Sequence, residues 1–413
     1  MPRDDWYKKD VVLQWDGMTL SFAVSQDLFS SHVVDAGSRL LLKSLAPDLF
    51  PKRGTALDFG CGYGVLGLAW KVRKPGWDVR LVDRDALAVE FSAWNAERLG
   101  LATEAGVTWS VGLGTPSLLP KGFDLILWNV PGKAGEAVLT RLAGDIGDAL
   151  GRDGLAALVV VNPLAAVIRE VYATHPEVTA TRDERFSDHT ILHIKKDLTL
   201  VLPDERAGPF ERGVFDRDPH AFDTAAGAYT LRPVVGLPEY ESLGFPTMLI
   251  LSAIDGMTDS VGAVLIAGCG QGHVPVAMYL AHGGMSLILV DRDLLALKAS
   301  ARALADVGAG ADMVRCLASS EIGMSEPDAP RVDMAIVRLE DQLPRAVMST
   351  LIQDVERLAA SGALPVIVGG GSTSVSRWLA LVSKRHGWKA RSRVKRHGAS
   401  AAVLTVARLP PRS

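Results

Sequence analysis

Short apolar segments alternate with longer amphipathic segments along both halves of the chain. In the first half, apolar runs of strand length occur at 55–59, 79–82, 124–128 and 155–161, and segment 86–99 has the apolar spacing of a helix. Strands that alternate with helices predict βαβ units, whose right-handed crossovers build a parallel sheet. The pattern therefore predicts an α/β protein of the doubly wound, Rossmann-like type.

Each half closes with two short segments that look like an antiparallel pair of strands. These pairs are 178–181 with 190–195 in the first half, and 390–394 with 402–407 in the second. Connections this short favour antiparallel pairing, because a parallel pair needs a crossover of a dozen or more residues. We therefore expect each mostly parallel sheet to end with an antiparallel final strand.

The two halves repeat each other at a constant offset and are called here the first copy and the second copy. Each of these pairs is separated by 208 residues: Gly60 and Gly268, Gly62 and Gly270, Gly64 and Gly272, Asp83 and Asp291, and Gly100 and Gly308. A shared offset over this span indicates tandem duplication of one Rossmann-like domain. We predict a first domain at 1–202, a linker rich in Pro, Gly, Asp and Arg at 203–228, and a second domain at 229–413.

The glycine loop after the first long apolar run of each copy predicts a nucleoside-binding site. Glycine allows the sharp turn and lets a ligand approach where a Cβ would clash. The helix that follows offers free N–H groups and the positive end of its dipole. Asp83 lies 23 residues after Gly60, the spacing at which an acidic residue accepts hydrogen bonds from the ribose hydroxyls.

The form of the first loop favours S-adenosyl-L-methionine over a dinucleotide. It reads G-x-G-x-G, with Val65 where a dinucleotide fingerprint has its third glycine. Asp58 would repel a pyrophosphate but suits the cationic methionine end of S-adenosyl-L-methionine. The predicted cofactor-binding residues are Asp58, Gly60, Cys61, Gly62, Gly64, Asp83, Arg84 and Asn129. The second copy has Ile266 and Pro275 in place of Asp58 and Gly67. A Rossmann turn without ligand is the structural alternative for both copies.

A second candidate site follows the fourth predicted strand of the first copy, where the chain reads Asn129-Val130-Pro131-Gly132. Ligands of this fold lie at the carboxyl ends of the strands. An amino group conjugated to a ring can be methylated only if its nitrogen lone pair turns toward the methyl group. The Asn129 side-chain oxygen and the Val130 carbonyl, held rigid by Pro131, can accept its two N–H groups. The alternative is a plain turn after a buried strand. The second copy has Arg338-Leu-Glu-Asp341 here.

These motifs resemble the "small" methyltransferase domain over residues 10–197. The resemblance rests on Leu28-Phe-Ser-Ser31, Asp35-Ala-Gly-Ser-Arg-Leu-Leu-Leu42, Leu57-Asp-Phe-Gly-Cys-Gly-Tyr-Gly-Val-Leu-Gly67, Asn129-Val-Pro-Gly132 and Glu184-Arg-Phe186 with 190–195. The tandem layout is similar to the guanine-N2 methyltransferases of 16S and 23S ribosomal RNA, which have one catalytic and one degenerate copy. The resemblance implies methyl transfer from S-adenosyl-L-methionine to the guanine exocyclic amine, with Asn129, Val130 and Pro131 as catalytic residues and RNA as partner.

The chain departs from this family at two points. In the family members considered, the second copy is catalytic, whereas here the first is the more complete. Val130 and Gly132 also replace a proline and the base-stacking aromatic residue of the family's Asn-Pro-Pro-Phe motif. Two further hypotheses therefore stay open: a non-catalytic tandem Rossmann scaffold for RNA or protein, and a methyltransferase of a non-RNA acceptor.

Charge adds one candidate interface. The formal net charge of −3 over 413 residues argues against a nucleic-acid binder driven by a strong basic excess. Basic residues nevertheless cluster at 384–396, with His386 and Trp388 among them and His397 directly after them. Phosphate neutralisation and base stacking predict RNA contact there. The alternative is an exposed face of the last strand pair, since residues 391, 393 and 395 alternate along one side of a strand.

The remaining composition excludes several classes. Three cysteines without a C-x-x-C pair do not form a disulfide framework, and the histidines lack metal-ligand spacing. The longest apolar run, 155–161, is too short to cross a bilayer. We therefore expect a cytoplasmic protein with no metal and no membrane contact, whose oligomeric state the sequence does not define.

Overall fold

The computed structural model describes residues 2–101, 106–115, 122–175, 177–197, 207–224, 227–256, 261–322, 332–359 and 363–407. The chain forms two compact units. The N-terminal domain is Tyr7–Phe215 and contains the first copy. The C-terminal domain is Asp216–Ser413, which contains the second copy, together with Met1–Trp6. The first helix, α1 (Pro2–Trp6), thus belongs to the C-terminal domain.

The N-terminal domain is a seven-stranded sheet in the order β5-β4-β3-β6-β7-β9-β8, with a separate hairpin of β1 and β2 before it. Its strands are β1 (Lys9–Trp15), β2 (Met18–Val24), β3 (Gly54–Phe59), β4 (Trp77–Asp83), β5 (Val107–Val111), β6 (Phe123–Asn129), β7 (Leu150–Val161), β8 (Val178–Arg185) and β9 (His189–Lys196). Its helices are α2 (Ala36–Ser44), α3 (Val65–Arg73), α4 (Ala86–Arg98), α5 (Glu136–Ala149) and α6 (Ala165–Thr174).

The C-terminal domain repeats this arrangement, with the sheet order β14-β13-β12-β15-β16-β18-β17 and a hairpin of β10 and β11 before it. Its strands are β10 (His220–Thr224), β11 (Gly227–Leu231), β12 (Ala263–Ala267), β13 (Ser286–Asp291), β14 (Val314–Ala318), β15 (Met334–Arg338), β16 (Leu364–Gly371), β17 (Trp388–Arg396) and β18 (Ala399–Val406). Its helices besides α1 are α7 (Phe245–Asp255), α8 (His273–His282), α9 (Leu294–Asp306), α10 (Arg345–Leu358) and α11 (Ser372–Val382).

Both sheets bear out the predicted fold. The neighbours β3, β4, β5, β6 and β7 are parallel, and β9 pairs antiparallel with β7 and with β8. The second sheet has the same pairings, with β18 antiparallel to β16 and β17. The central strands are apolar and buried on both faces, as parallel strands between helix layers require. This topology brings the carboxyl ends of β3, β4 and β6 to one edge of the first sheet.

The domain boundaries differ from the sequence-based prediction. The segment 203–228, predicted as a linker, contains β10, and the C-terminal domain begins at Asp216 rather than at residue 229. Residues 198–206 lie outside the described residues. Each sheet is preceded by a hairpin, so the duplicated unit extends further upstream than the apolar runs indicated. Among the described residues, no helix has the length and apolarity that a membrane crossing demands.

Candidate active site in the N-terminal domain

The glycine loop between β3 and α3 forms an open cradle. Gly60, Gly62 and Gly64 have φ values of +71°, +56° and +87°, a left-handed conformation that favours glycine. The Gly60 and Cys61 amides donate to the Val82 carbonyl at 2.8 and 3.0 Å, which fixes the loop against β4. A Cβ on Gly60 or Gly62 would meet no heavy atom within 4 Å. The loop therefore leaves space in which a ligand can lie directly against the backbone.

Asp83, at the carboxyl end of β4, holds this loop. Its Oδ2 accepts from the Gly62 amide at 2.9 Å, and its Oδ1 accepts from the Asp85 amide at 3.0 Å. Burial raises the pKa of Asp83, and the nearby positive charge of half-buried Arg84 opposes that shift. Each carboxylate oxygen has a second lone pair for a ligand hydroxyl. The structure thus brings Asp83 and the glycine loop together, as the spacing predicted.

Asp58 presents an unpaired carboxylate oxygen beneath the loop. Its side chain is 1% exposed, its Oδ2 accepts from the Gly67 amide at 2.7 Å, and its Oδ1 is buried without a hydrogen-bond partner. Burial raises the pKa of Asp58 to about 7, a shift that the Gly67 amide opposes and the negative charge of Asp83 reinforces. A buried carboxylate oxygen without a partner is costly, so a cationic ligand group would stabilise it.

Asp58 and Gly67, two residues flanking the loop that the second copy replaces, are hydrogen-bonded to each other in the first copy. A Cβ on Gly67 would lie 2.9 Å from Asp58 Cβ and 2.5 Å from Leu81 Cδ2, so only glycine allows this approach of α3 to β3. In the second copy Ile266 has no acceptor and Pro275 has no amide to donate. Loss of the acidic group and loss of its donor therefore go together.

Asn129 is held in a fixed orientation at the end of β6. Its Nδ2 donates to Asp35 Oδ2 at 3.0 Å and to Ser38 Oγ at 3.1 Å. Because Asp35 is also the N-cap of α2 and accepts from the Ser38 amide at 2.9 Å, both partners are fixed by the helix terminus. A Cβ on Gly37 would lie 2.8 Å from Asp35 Oδ2, which explains the glycine. These contacts leave Asn129 Oδ1 as the available acceptor.

The acceptor turn lies beside the glycine cradle. Phe59 of β3 is the register partner of Trp128 of β6, so Gly60 and Asn129 leave neighbouring strands side by side. The buried Val130 donates its amide to the Val159 carbonyl at 2.9 Å, whereas Pro131 and Gly132 are exposed. The turn is thus anchored at its first two residues and open to solvent beyond them.

Two supporting residues escaped the sequence analysis. Ser92 Oγ donates to the Gly62 carbonyl at 2.9 Å. The fully buried Asn95 accepts from the Ala23 amide at 2.7 Å and donates to the Tyr63 carbonyl at 2.9 Å, so it ties β2 to the loop. The repeat could have revealed Ser92, because Ser300 lies 208 residues after it. The Ser300 Oγ has the same role in the second copy, 3.4 Å from the Gly270 carbonyl.

The corresponding cradle of the C-terminal domain is filled by the chain itself. Arg338 occupies the position of Asn129, and its Cβ lies 3.0 Å from where a Cβ on Gly268 would be. The Nη1 atom of Arg338 lies 2.9 Å from the position that a Cβ on Gly270 would take. Its Nη2 atom lies 3.2 Å from Glu239 Oε1. A guanidinium therefore lies over the loop that, in the first copy, is open.

The adjoining cleft of the C-terminal domain is narrowed by α1. Trp6 lines it together with Asp291 and Ser320, and Arg292 Cζ lies 5.8 Å from the Trp6 ring centroid, a cation–π contact. The remaining cavity is about 70 Å³, well below the roughly 300–1,000 Å³ typical of small-molecule pockets. Arg338 and Trp6 thus take up part of the space beside the glycine loop and Asp291 of this copy.

The described residues provide neither a reactive thiolate at the glycine loop nor a cluster of metal ligands. Cys61 is buried, and burial raises the pKa of its thiol well above the usual range, so it is not a reactive thiolate. The described ranges contain no group of three or more His, Cys, Asp or Glu residues able to hold a metal ion. The site consists of a ligand cradle, two carboxyl groups and an oriented amide.

Comparison with known proteins finds a family model that matches the N-terminal domain. Residues 19–184, which include Asp35, Asp58, the glycine loop and Asn129, match the family model described as "Methyltransferase small domain". This match covers most of the N-terminal domain and includes every residue of the candidate site.

Curated relatives of the small domain are ribosomal RNA methyltransferases. The chain is 35% identical over 140 residues to the ribosomal RNA small subunit methyltransferase C of Hahella chejuensis, over 34% of this chain and 39% of that protein. It is 24% identical over 139 residues to the ribosomal RNA large subunit methyltransferase G of Psychromonas ingrahamii, over 33% of this chain and 36% of that protein. The matched region thus spans about two fifths of these relatives' length.

A solved structure matches the whole tandem fold. It is the 16S rRNA guanine-N2 methyltransferase of T. thermophilus in complex with AdoMet and guanosine, with a TM-score of 0.65, 16% identity, and coverage of 99% of this chain and 100% of that chain. At this level of identity the match supports the fold of two methyltransferase-like domains in tandem.

Proposed function

We propose that the N-terminal domain transfers a methyl group from S-adenosyl-L-methionine to the exocyclic amine of guanine in ribosomal RNA. The observation that carries the proposal is the adjacency of the open glycine cradle and the oriented Asn129 at the ends of β3 and β6. The two curated relatives compared above are named as ribosomal RNA methyltransferases and support the substrate class. With that substrate, the protein would act in the cytoplasm.

The residues present fit this cofactor. Asp58 Oδ1 is a buried acceptor without a partner and suits the ammonium group of the methionine moiety. Asp83 retains lone pairs for the ribose hydroxyls, and the bare backbone at Gly60 and Gly62 admits the ligand chain. When bound, the cofactor supplies an electrophilic methyl group on its sulfonium.

The acceptor turn would orient the target amine. Asn129 Oδ1 and the Val130 carbonyl accept the two N–H groups of the amine, which turns its lone pair out of conjugation and toward the cradle. Pro131 restricts Val130 to an extended backbone and so fixes the direction of that carbonyl. Catalysis then rests on positioning, because no covalent intermediate with the protein is needed.

Binding stoichiometry tests the assignment with a matched pair of variants. Asp83 and Asp291 hold equivalent loops, through the Gly62 and Cys269 amides at 2.9 and 2.8 Å. We expect calorimetry to give one S-adenosyl-L-methionine per chain, Asp83→Ala to abolish binding, and Asp291→Ala to leave it unchanged. If neither copy binds the cofactor, the scaffold hypothesis is favoured. If Asp291→Ala abolishes binding, the cofactor belongs to the second copy and the assignment is wrong.

Substitution of Gly132 tests the acceptor class. A Cβ on Gly132 would meet only Val161 Cγ2, at 3.8 Å, and the residue is exposed. We expect Gly132→Phe to fold normally and to raise kcat/KM for guanine in RNA about fivefold or more, because it restores an aromatic surface for base stacking. Labelled methyl transfer to ribosomal RNA from a strain lacking this protein, followed by nucleoside analysis, measures this. A lower kcat/KM in Gly132→Phe would instead favour a bulkier or non-RNA acceptor.

A further inference from the structure

Positive charge is segregated at the end of the chain. After Glu356 the remaining 57 residues contain 11 Lys and Arg residues and no Asp or Glu. The preceding 356 residues contain the other 33 basic residues and all 47 acidic ones, a formal charge of −14. The near-neutral net charge of the protein therefore conceals a strongly basic C-terminal segment, whose field would attract a polyanion.

Strand β17 displays much of this charge. It is the edge strand of the second sheet, and every residue from Lys389 to Arg396 is exposed. A β-bulge between Ala390 and Ser392 places Arg391 out of register, so the cations do not share one side of the strand. The alternation expected from the sequence at 391, 393 and 395 is therefore not that of a single solvated face. Within the described residues, none of the Lys and Arg side chains of β17 forms an ion pair with an acidic residue.

The duplicated domain provides an internal control for this strand. Strand β8 is the equivalent edge strand, with its own bulge between Ala180 and Arg182 and a similarly exposed surface. Its charges are balanced, since Arg182 pairs with Glu184 and Asp183 pairs with Arg169. Charged residues of either sign protect sheet edges from aggregation, and β8 carries both signs at this position. Protection of the edge therefore does not explain why β17 has five Lys and Arg residues and no acidic residue.

An exposed aromatic pair adjoins the end of β17. The rings of Phe245 and His397 stack with centroids 4.5 Å apart and planes at 28°, and Phe245 is 37% exposed. Arg396 Cζ lies 5.9 Å from the Phe245 ring centroid. Strand cations that end in an aromatic stack combine the two features by which proteins bind unpaired nucleotides.

We propose that β17, with Phe245 and His397, is an RNA-docking surface that holds the ribosomal RNA substrate through its phosphates and one unstacked base. The cations of β17 neutralise phosphates, and the Phe245–His397 stack receives the base. This inference rests on the proposed function for the identity of the RNA, but not for the surface itself. The second copy would then supply RNA affinity, while the first supplies the methyl-transfer site.

Salt-dependent binding of the full-length protein to a fluorescein-labelled single-stranded RNA tests the surface. The test variant is Arg391→Thr, Arg393→Thr and Lys395→Thr combined. The matched control is Arg152→Thr, Arg185→Thr and Lys195→Thr in the N-terminal domain, which removes the same charge from exposed or half-buried positions. We expect the slope of log K against log salt concentration to fall by about 2 in the test variant, at about 0.7 per lost phosphate contact, and by much less in the control.

Two further variants guard against a folding artefact. Arg391 and Arg393 hydrogen bond to Thr405 and Ser400, so their loss can affect the strand pair. Lys389→Thr with Lys395→Thr breaks no such bond, and we expect it to lower the slope by about 1.4. Phe245→Ala is expected to weaken binding of single-stranded RNA about fivefold or more with an unchanged slope, because stacking carries no counterion release.

The outcomes separate the docking surface from the proposed function. Equal RNA affinity and slope in test and control variants would overturn the docking surface, as would capture of a protein on β17 that RNA does not displace. If the test variant loses RNA binding while wild type fails to methylate ribosomal RNA, the surface stands and the proposed function fails. Support for both requires a raised KM for ribosomal RNA in the test variant, with the Kd for S-adenosyl-L-methionine unchanged.

Discussion

Replacement of Asn129 by alanine is expected to lower kcat for methyl transfer about 100- to 1,000-fold, the usual cost of removing one preorganised hydrogen-bonding group from a transition state. The side chain supplies an acceptor that is already oriented, because its Nδ2 is bound to Asp35 and Ser38. Single-turnover transfer from labelled S-adenosyl-L-methionine measures the effect. The Kd for the cofactor should stay within about twofold, since the Asp58 and Asp83 contacts remain.

A graded series separates orientation from direct contact. Ser38→Ala removes one of two bonds to Asn129 Nδ2 and should lower kcat only about three- to tenfold, roughly the 0.5–1.5 kcal/mol of a single hydrogen bond. Gly132→Ala, in the same turn but without any contact to Asn129, serves as the control and should leave the rate near wild type. Full turnover in Asn129→Ala would refute the acceptor assignment.

Affinity for S-adenosyl-L-methionine is expected to rise with pH up to about 7 and then level off. In the free domain, burial raises the pKa of Asp58 to about 7, so this carboxyl is protonated at pH 5.5. A bound ammonium favours the carboxylate, so binding releases a proton. Below pH 7, Kd should therefore fall about tenfold for each unit by which the pH rises. Calorimetry in buffers of different ionisation enthalpy measures both the Kd and the proton released. Asp58→Asn should weaken binding and flatten the pH profile, and a wild-type profile flat between pH 5.5 and 8 would contradict the assignment.

The same carboxyl makes stability depend on pH in the opposite direction from a salt-bridged aspartate. Because its folded-state pKa lies above the unfolded value of 3.8, the folded domain binds the proton more tightly. The free energy of unfolding therefore falls as pH rises from about 4 to about 7, by on the order of 4 kcal/mol at most. Burial also raises the pKa of Asp83, which adds in the same direction. Urea unfolding of wild type and Asp58→Asn at pH 5.5 and 8 gives the difference.

The parts of this fold that the sequence revealed are those with strong local signals. The helix predicted at 86–99 is α4 at Ala86–Arg98, and the apolar runs at 55–59 and 79–82 lie within β3 and β4. The left-handed turns of the glycine loop admit few other residues, so the repeat preserved them in both copies. The spacing of apolar residues and the restriction of glycine turns to few residue types act over short segments. Both can therefore be recognised in a single sequence.

The parts that escaped prediction depend on contacts between distant segments. The Asp58–Gly67 hydrogen bond explains two substitutions in the second copy that appear unrelated in the sequence. Asn95 is a buried polar residue of α4, and its hydrogen bonds to Ala23 and Tyr63, which lie far away in the sequence, explain why it is there. The second hairpin was hidden because β10 is short and polar and lies in a segment with the composition of a linker.

The position of α1 has a consequence for the order in which the protein can be completed. Asp5 hydrogen bonds to Thr350 across 345 residues of sequence, and Trp6 is buried within the domain that contains α10. At about 5–20 residues per second, a ribosome needs roughly 17–70 s to synthesise that interval. The N-terminal domain can fold during this time, while α1 must wait with its tryptophan uncovered. Among the described segments, one of the first to leave the ribosome is thus among the last to dock, and a fragment beginning at Asp216 would lack the side chain that lines its own cleft.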